Sequence, residues 1–167
     1  MSSEEFAISI LAARERRSGV IEEYVGHGHR AALFLSLNIP GGEKSPPGTG
    51  PLFSWSMALI SGEFPEAEKL VTGDDPLGPF ALFSINREPF DVKLHCIRLE
   101  NLSPAARLID LDVFDGNCRQ VGRSLMGMEP RPCLLCPLPA VECIRLRRHH
   151  YREVKGKTDE LLAPFRD

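Results

Sequence analysis

Long hydrophobic runs are missing from this sequence. The longest apolar stretches, such as Ala31 to Leu37, fall far short of the roughly 20 residues that a bilayer-spanning helix needs, so no membrane span is expected. The first residues, Met-Ser-Ser-Glu-Glu-Phe, lack a basic n-region and an apolar h-region. No secretory signal is therefore expected, and the protein reads as cytoplasmic. A dominant charge of one sign is missing too. The formal net charge is −3 over 167 residues, which gives no general attraction to nucleic acid or membrane. There is no internal repeat, no compositional break marking a domain boundary, no G-x-S-x-G elbow and no cysteine with an evident base partner. The cysteines number five, three of them between Cys133 and Cys143. An odd, clustered set without an export signal points to metal or free thiols more than to disulfides.

What remains is the composition of an ordinary globular chain. Hydrophobic residues make up 43% and charged residues 26%, enough apolar material to exclude disorder. The length fits one domain over 1–167. Ser3 can N-cap a helix running to about Tyr24, with Glu4 and Glu5 at its positive end. Phe6, Ile10 and Ala13 begin an apolar stripe that runs into Arg14 and Arg17 and resumes at Ile21 and Tyr24. Two readings of these arginines stand: their stems cover the core, or they bind an anion at a cleft edge. Ala31–Asn38 is a buried strand, ended by Ile39-Pro-Gly-Gly42. The loop from Pro40 to Pro51, with four prolines and four glycines, is a surface loop or a ligand wrap in which Lys44 touches phosphate. Leu52–Ile60 is expected to be helical. Lys69–Thr72 and Phe80–Ile85 are expected as strands around the turn Gly73–Gly78. Pro89 and Asp91 tilt the segment Pro89–Glu100 toward a helix. Ile109–Phe114 and Arg119–Arg123 around Asp115-Gly116 carry a hairpin signal. The stretch from about Ile144 to Leu162 is expected as a charged helix.

Chemistry concentrates in two places. Asp110 and Asp112 stand two residues apart, so in a strand both carboxylates leave the same face. Close carboxylates repel, and a divalent cation removes that penalty. Magnesium suits such a site, because it takes one or two carboxylates, waters and substrate phosphate oxygens. Arg107 nearby fits a phosphate site, where cations accompany the metal. The bland alternative is the solvated face of an amphipathic strand. The second place is Cys133, Cys136, Cys143 and His149, spaced C-x2-C-x6-C-x5-H. Three thiolates and one imidazole complete a tetrahedral zinc shell with no open position, hence a structural site. Ordinary core packing of small thiols is the alternative. Cys96 and Cys118 read as packing residues, His27-Gly-His29 as a glycine loop, and His95 as a satisfied histidine. The Arg145–Arg152 stretch is locally basic, a solvated helix face or a contact for an anionic partner.

In order and spacing, several motifs resemble one family. They are Arg107-Leu-Ile-Asp110-Leu-Asp112-Val113, Gly122-Arg123, Pro130-Arg131-Pro132-Cys133-Leu-Leu-Cys136, Cys143-Ile-Arg145 and His149. Arg14-Glu-Arg-Arg17 and Leu35-Ser-Leu-Asn-Ile-Pro40-Gly41 with Lys44 extend the likeness. The family is the holo-citrate-lyase synthases, the apo-citrate lyase phosphoribosyl-dephospho-CoA transferases. Departures are Ser103-Pro-Ala-Ala106 before Arg107, Pro132 before the first cysteine, and Ile21. The resemblance implies a nucleotidyltransferase. It would move the prosthetic group of triphosphoribosyl-dephospho-CoA to a serine of the citrate lyase acyl carrier protein (the gamma subunit), releasing pyrophosphate. In that picture Asp110 and Asp112 hold magnesium. Arg14, Arg17, Arg107 and Arg123 clamp phosphate oxygens with Lys44, and Arg131 reaches the ligand. A more distant likeness to the folate-pathway pterin pyrophosphokinases implies a ferredoxin-like α+β fold: an antiparallel sheet with packed helices, here with a C-terminal cysteine segment at about 130–150. The rival functions are a holo-carrier-protein synthase for malonate decarboxylase, a related pyrophosphoryl transferase, or a non-catalytic zinc-bearing interaction module.

Overall fold

A computed structural model describes residues 3–25 and 28–166. The Ser3 side chain and His27, on which two of the expectations above rest, lie outside what is described. The chain opens with helix α1 (Ser3–Val25), followed by strand β1 (Ala31–Leu37) and helix α2 (Thr49–Glu63). Strands β2 (Glu68–Asp75) and β3 (Gly78–Ile85) come next, then helix α3 (Pro89–Glu100) and strand β4 (Ile109–Asp115). Helices α4 (Ala140–Arg145) and α5 (Tyr151–Leu162) follow. Each strand pairing is antiparallel, in the order β2-β3-β1-β4. From β1 to β4 the succession is βαββαβ, the split arrangement of a ferredoxin-like α+β fold.

The apolar run of β1 explains its central place. Ala31 to Leu35 are all buried, because both faces of this strand are covered. Leu33, Leu35 and Leu37 face a core shared with Leu52 and Ile60 of α2, Val92 and Cys96 of α3, and Leu111 and Val113 of β4. Ala32 and Phe34 face the other way, with Phe80, Leu82 and Val25, and Ile21 and Tyr24 pack against them. Helix α1 thus covers one face of the sheet, and α2 and α3 the other.

Strand β4 lies at the sheet edge, where outward backbone groups would otherwise lack partners. They are met one by one. The Ile109 carbonyl accepts from Arg131 at 2.7 Å. Leu111 donates its N–H to Glu100 at 3.0 Å and accepts at its carbonyl from Lys93 at 2.6 Å. Val121 donates to the Val113 carbonyl at 2.7 Å, and Asp115 donates to the Arg119 carbonyl at 2.9 Å.

Two elements differ from expectation. The return after Asp115 does not become a full second strand. Gln120 pairs with Phe114, and a 3-10 helix, Arg123–Met126, follows. The Asp115 carboxylate accepts the N–H groups of Asn117 and Arg119, and Cys118 adopts φ 60°, so the turn closes tightly. A side chain on Gly116 would approach the His29 carbonyl at 2.8 Å, so glycine is required there. The expected helix from Ile144 to Leu162 is broken after Arg145. Arg147 turns left-handed at φ 46°, and α5 restarts with a capping box between His150 and Glu153.

Candidate functional site

The strand register decides where Asp110 and Asp112 point. Asp110 lies opposite Ser36 and Asp112 opposite Phe34, on the face that α1 covers in part. Ile109, Leu111 and Val113 alternate with them into the core and fix the strand. An open cleft of about 480 Å³ lies between α1 and this part of the sheet. Asp110, Asp112, Ser36, Asn38, Arg14 and Lys44 are among its lining residues. On the other side a second cleft, about 350 Å³, is lined by Lys93, Glu100, Arg123, Ser124 and Arg131, and again by both aspartates. The carboxylate pair is the ridge between two clefts.

The charges on that ridge are poorly compensated. Burial, and then repulsion by Asp112, pushes Asp110 up to about 6. Asp112 is raised as well, by burial first, against the pull of Lys93 and a hydrogen bond from Gln120 Nε2 at 2.7 Å. The Asp110 contact with Arg131 is long, 3.4 Å. Across the larger cleft the signs reverse. Lys44 donates to the Ile39 carbonyl at 2.7 Å, and burial and then Arg14 lower its pKa. No carboxylate pairs with Arg14 or Lys44 among the described contacts. Two oxygen donors short of cations thus face two cations short of an anion. This donor set fits a hard divalent ion together with phosphate.

The other arginines separate into roles that sequence spacing did not distinguish. Arg17 is tied to Asp75 by two bonds of 2.9 Å and to the Gly78 carbonyl at 2.7 Å. It lies over the Phe80 ring at 4.9 Å, so although it lines the larger cleft its charge is already balanced. Arg107 lines neither cleft. It donates to the Pro132 carbonyl at 2.7 Å and reaches the Cys133 carbonyl at 3.3 Å, which anchors the cysteine segment. Arg123 pairs with Glu100 at 3.0 Å in the smaller cleft. Arg131 donates to the carbonyls of Arg107 and Ile109 and so clips that same segment to β4. Glu100 and Lys93, 3% and 6% exposed, were not foreseen as part of the site. The signal was available: they sit seven residues apart, on one face of α3, amid Val92, Cys96 and Leu99.

The cysteine segment folds into a compact ligand set. The ligand atoms of Cys133, Cys136, Cys143 and His149 all lie within 4.8 Å of one another. Cys136 Sγ and Cys143 Sγ are 3.5 Å apart, near the about 3.8 Å that two thiolates on one tetrahedral zinc would show. His149 Nε2 is buried without a hydrogen-bond partner. Such an orphaned acceptor, aimed into three thiols, is what a bound cation would satisfy. The left-handed turn at Arg147 delivers His149 to this point. Burial, then the neighbouring thiols, pushes Cys143 up to about 11, so its thiolate would need a cation beside it. Cys96 is buried in the main core and Cys118 packs on the second. His95 pairs with Glu63 on the far side of α3, and His29 Nδ1 meets Ser84 Oγ at 2.7 Å. No described helix is long and apolar enough to cross a membrane.

Comparison with known proteins bears on this arrangement. A family model described as apo-citrate lyase phosphoribosyl-dephospho-CoA transferase matches residues 7–165. A Streptococcus pyogenes (serotype M18) protein named "Probable apo-citrate lyase phosphoribosyl-dephospho-CoA transferase" is 30% identical, over 93% of this chain and 84% of its own. A Shigella flexneri (serotype 5b) protein of that name, without the qualifier, is 26% identical over 92% of this chain and 86% of its own. One from Escherichia coli O139:H28 is 34% identical over 51% of this chain and 46% of its own.

Proposed function

Because the chain belongs to the apo-citrate lyase phosphoribosyl-dephospho-CoA transferase family, a family of transferases, we propose that it attaches the prosthetic group of triphosphoribosyl-dephospho-CoA to a serine of the citrate lyase acyl carrier protein. Family membership favours this reading over a non-catalytic zinc module and over acceptors from malonate decarboxylase or the pterin pathway. The observation that carries it is the cleft in which Asp110 and Asp112 face Arg14 and Lys44. Asp110 and Asp112 would hold magnesium. Bound there, the ion would supply charge neutralisation for the departing pyrophosphate. Arg14 and Lys44 grip the phosphate oxygens from the opposite wall. Serine Oγ attacks the phosphorus that bears the pyrophosphate, the bridging P–O bond breaks with its electron pair leaving on pyrophosphate, and the serine proton passes to solvent water as the new ester forms. Little covalent chemistry falls to the protein, so positioning and charge stabilisation do most of the catalysis. Ser36 and Asn38 would supply neutral polar contacts beside the reacting group, and Gln120, in the second cleft, holds Asp112.

Arg107 and Arg131 act one step away, through the cysteine segment. That segment would carry a structural zinc on Cys133, Cys136, Cys143 and His149. Arg123, held by Glu100, is left for the second cleft. The test is transfer of labelled prosthetic group to apo-citrate lyase, with pyrophosphate release measured in parallel and magnesium varied. Magnesium-dependent labelling of the carrier subunit, with stoichiometric pyrophosphate, is expected. Labelling that persists undiminished in chelator, or a wild-type protein that labels no carrier, would overturn the reading.

A further inference from the structure

The segment that carries Cys143 and His149 has, among the described residues, no partner for most of the charge it displays. Between Ala140 and Arg152 stand four arginines and one glutamate, in a chain whose net charge is −3. Arg145, Arg147, Arg148 and Arg152 are exposed, and no side-chain hydrogen bond or ion pair is seen for them among the described contacts. Beside them, Val141 is 64% and Ile144 77% exposed. Exposed aliphatic side chains amid unpaired arginines have the composition of a protein-binding surface. A merely solvated helix would have little reason to expose both.

The location of this surface matters as much as its chemistry. At one end, Ala140 donates to the Arg131 carbonyl, and Arg131 contacts Asp110. At the other end, the Tyr151 ring lies where a side chain on Gly41 would sit, 2.5 Å from that position, beside the Ile39–Lys44 wall of the larger cleft. The strip therefore runs along the rim of the site from the aspartates to the loop that carries Lys44. Cys143 and His149, grouped with Cys133 and Cys136, lie within it.

We infer that the strip Val141–Arg152 is the docking surface for the protein acceptor, through a carboxylate-bearing face of that acceptor that delivers its serine to Asp110 and Asp112. The inference rests on the transfer reading above and adds the acceptor's chemistry and seat. Electrostatic complementarity of this kind acts mainly on encounter and orientation. It therefore appears in the KM for the acceptor and in salt dependence, while donor affinity and the rate at saturation stay the same.

The experiment is acceptor-dependent kinetics with the charge-reversal pair Arg145→Glu and Arg148→Glu. A separate Ile144→Ser variant probes the apolar part, and circular dichroism and melting of both establish the fold. Donor affinity is measured directly by titration with triphosphoribosyl-dephospho-CoA. The expected result is a KM for apo-citrate lyase raised about tenfold or more, a flatter salt dependence, and unchanged donor affinity. Arg145→Lys with Arg148→Lys should recover most of the loss. An unchanged acceptor KM in folded variants would overturn the docking surface while leaving the transferase reading intact. So would a fall in donor affinity alone, which would assign these arginines to the nucleotide's phosphates. A wild-type protein inactive on apo-citrate lyase removes both readings, and is the outcome that separates the two failures.

Discussion

Replacing Asp110 by asparagine should stabilise the metal-free protein and disable it at once. The native carboxyl titrates at about 6, against an ordinary value of 3.8. That difference corresponds to about 3 kcal/mol for a fully shielded group. With 40% of the side chain exposed, solvent screening reduces it to about 1 kcal/mol. The sign follows from linkage. Below about 4 the group is protonated whether the chain is folded or not, and it costs nothing. Between that pH and about 6 the unfolded chain ionises first, and the native state loses stability. Above about 6 the full cost is present. Asparagine keeps the shape without the charge, so the variant should melt about 2–4 °C higher than wild type at pH 7.5. The gain should vanish near pH 3.5. Magnesium at about 100 times its Kd would stabilise wild type by about 2.7 kcal/mol and the variant far less, which reverses the order. Transfer should fall by about two orders of magnitude or more. The assay is thermal melting by circular dichroism across pH, with and without magnesium, beside label transfer. A variant that melts lower than wild type at pH 7.5 without metal would refute the argument, because Asp110 would then be a satisfied partner of Arg131.

Three further outcomes follow from the same contacts. The protein should carry about one zinc per chain by atomic emission, and Cys143→Ser should abolish it and lower stability by about 3 kcal/mol or more; full zinc content in that variant would remove the cluster as the site. Glu100→Ala leaves the Leu111 N–H and the Arg123 guanidinium without their buried acceptor, so about 3–5 kcal/mol of stability should be lost in urea melts. The near-isosteric Glu100→Gln should retain the Leu111 bond and cost markedly less. Arg17→Met should lower the melting temperature by releasing α1 from Asp75 and the β2–β3 turn, with little change in donor KM. A rise in donor KM without destabilisation would return Arg17 to the phosphate clamp.

Arg14 and Arg17 illustrate why the site was only partly legible. Both interrupt the same apolar stripe, and spacing predicts the same role for both. Their difference comes from Asp75 and Phe80, about sixty residues away in sequence, which capture Arg17 and leave Arg14 without a carboxylate partner among the described contacts. Arg107 is similar. Its place three residues before Asp110 suggested phosphate, but the arriving Pro132 and Cys133 carbonyls take its guanidinium. The helix expected across Ile144–Leu162 failed for a related reason. Helical propensity there is adequate, but the backbone turns left-handed at Arg147, two residues before His149 joins the thiols.

The sequence by itself determined the alternation that places Asp110 and Asp112 on one face, since a strand's period of two leaves no other choice. It also determined the central position of β1, whose unbroken apolar run must be covered on both sides, and the ligand types of the C-terminal cluster. Only the tertiary structure decided which cations remain unpaired, because that depends on carboxylates and carbonyls brought in from distant strands. It likewise decided that the aspartates divide two clefts, since Lys93 and Glu100 of α3 and Arg131 of the cysteine segment close the outer edge of β4 from two separate parts of the chain. Local periodicity fixes the direction of a side chain; long-range packing fixes the charge it meets there.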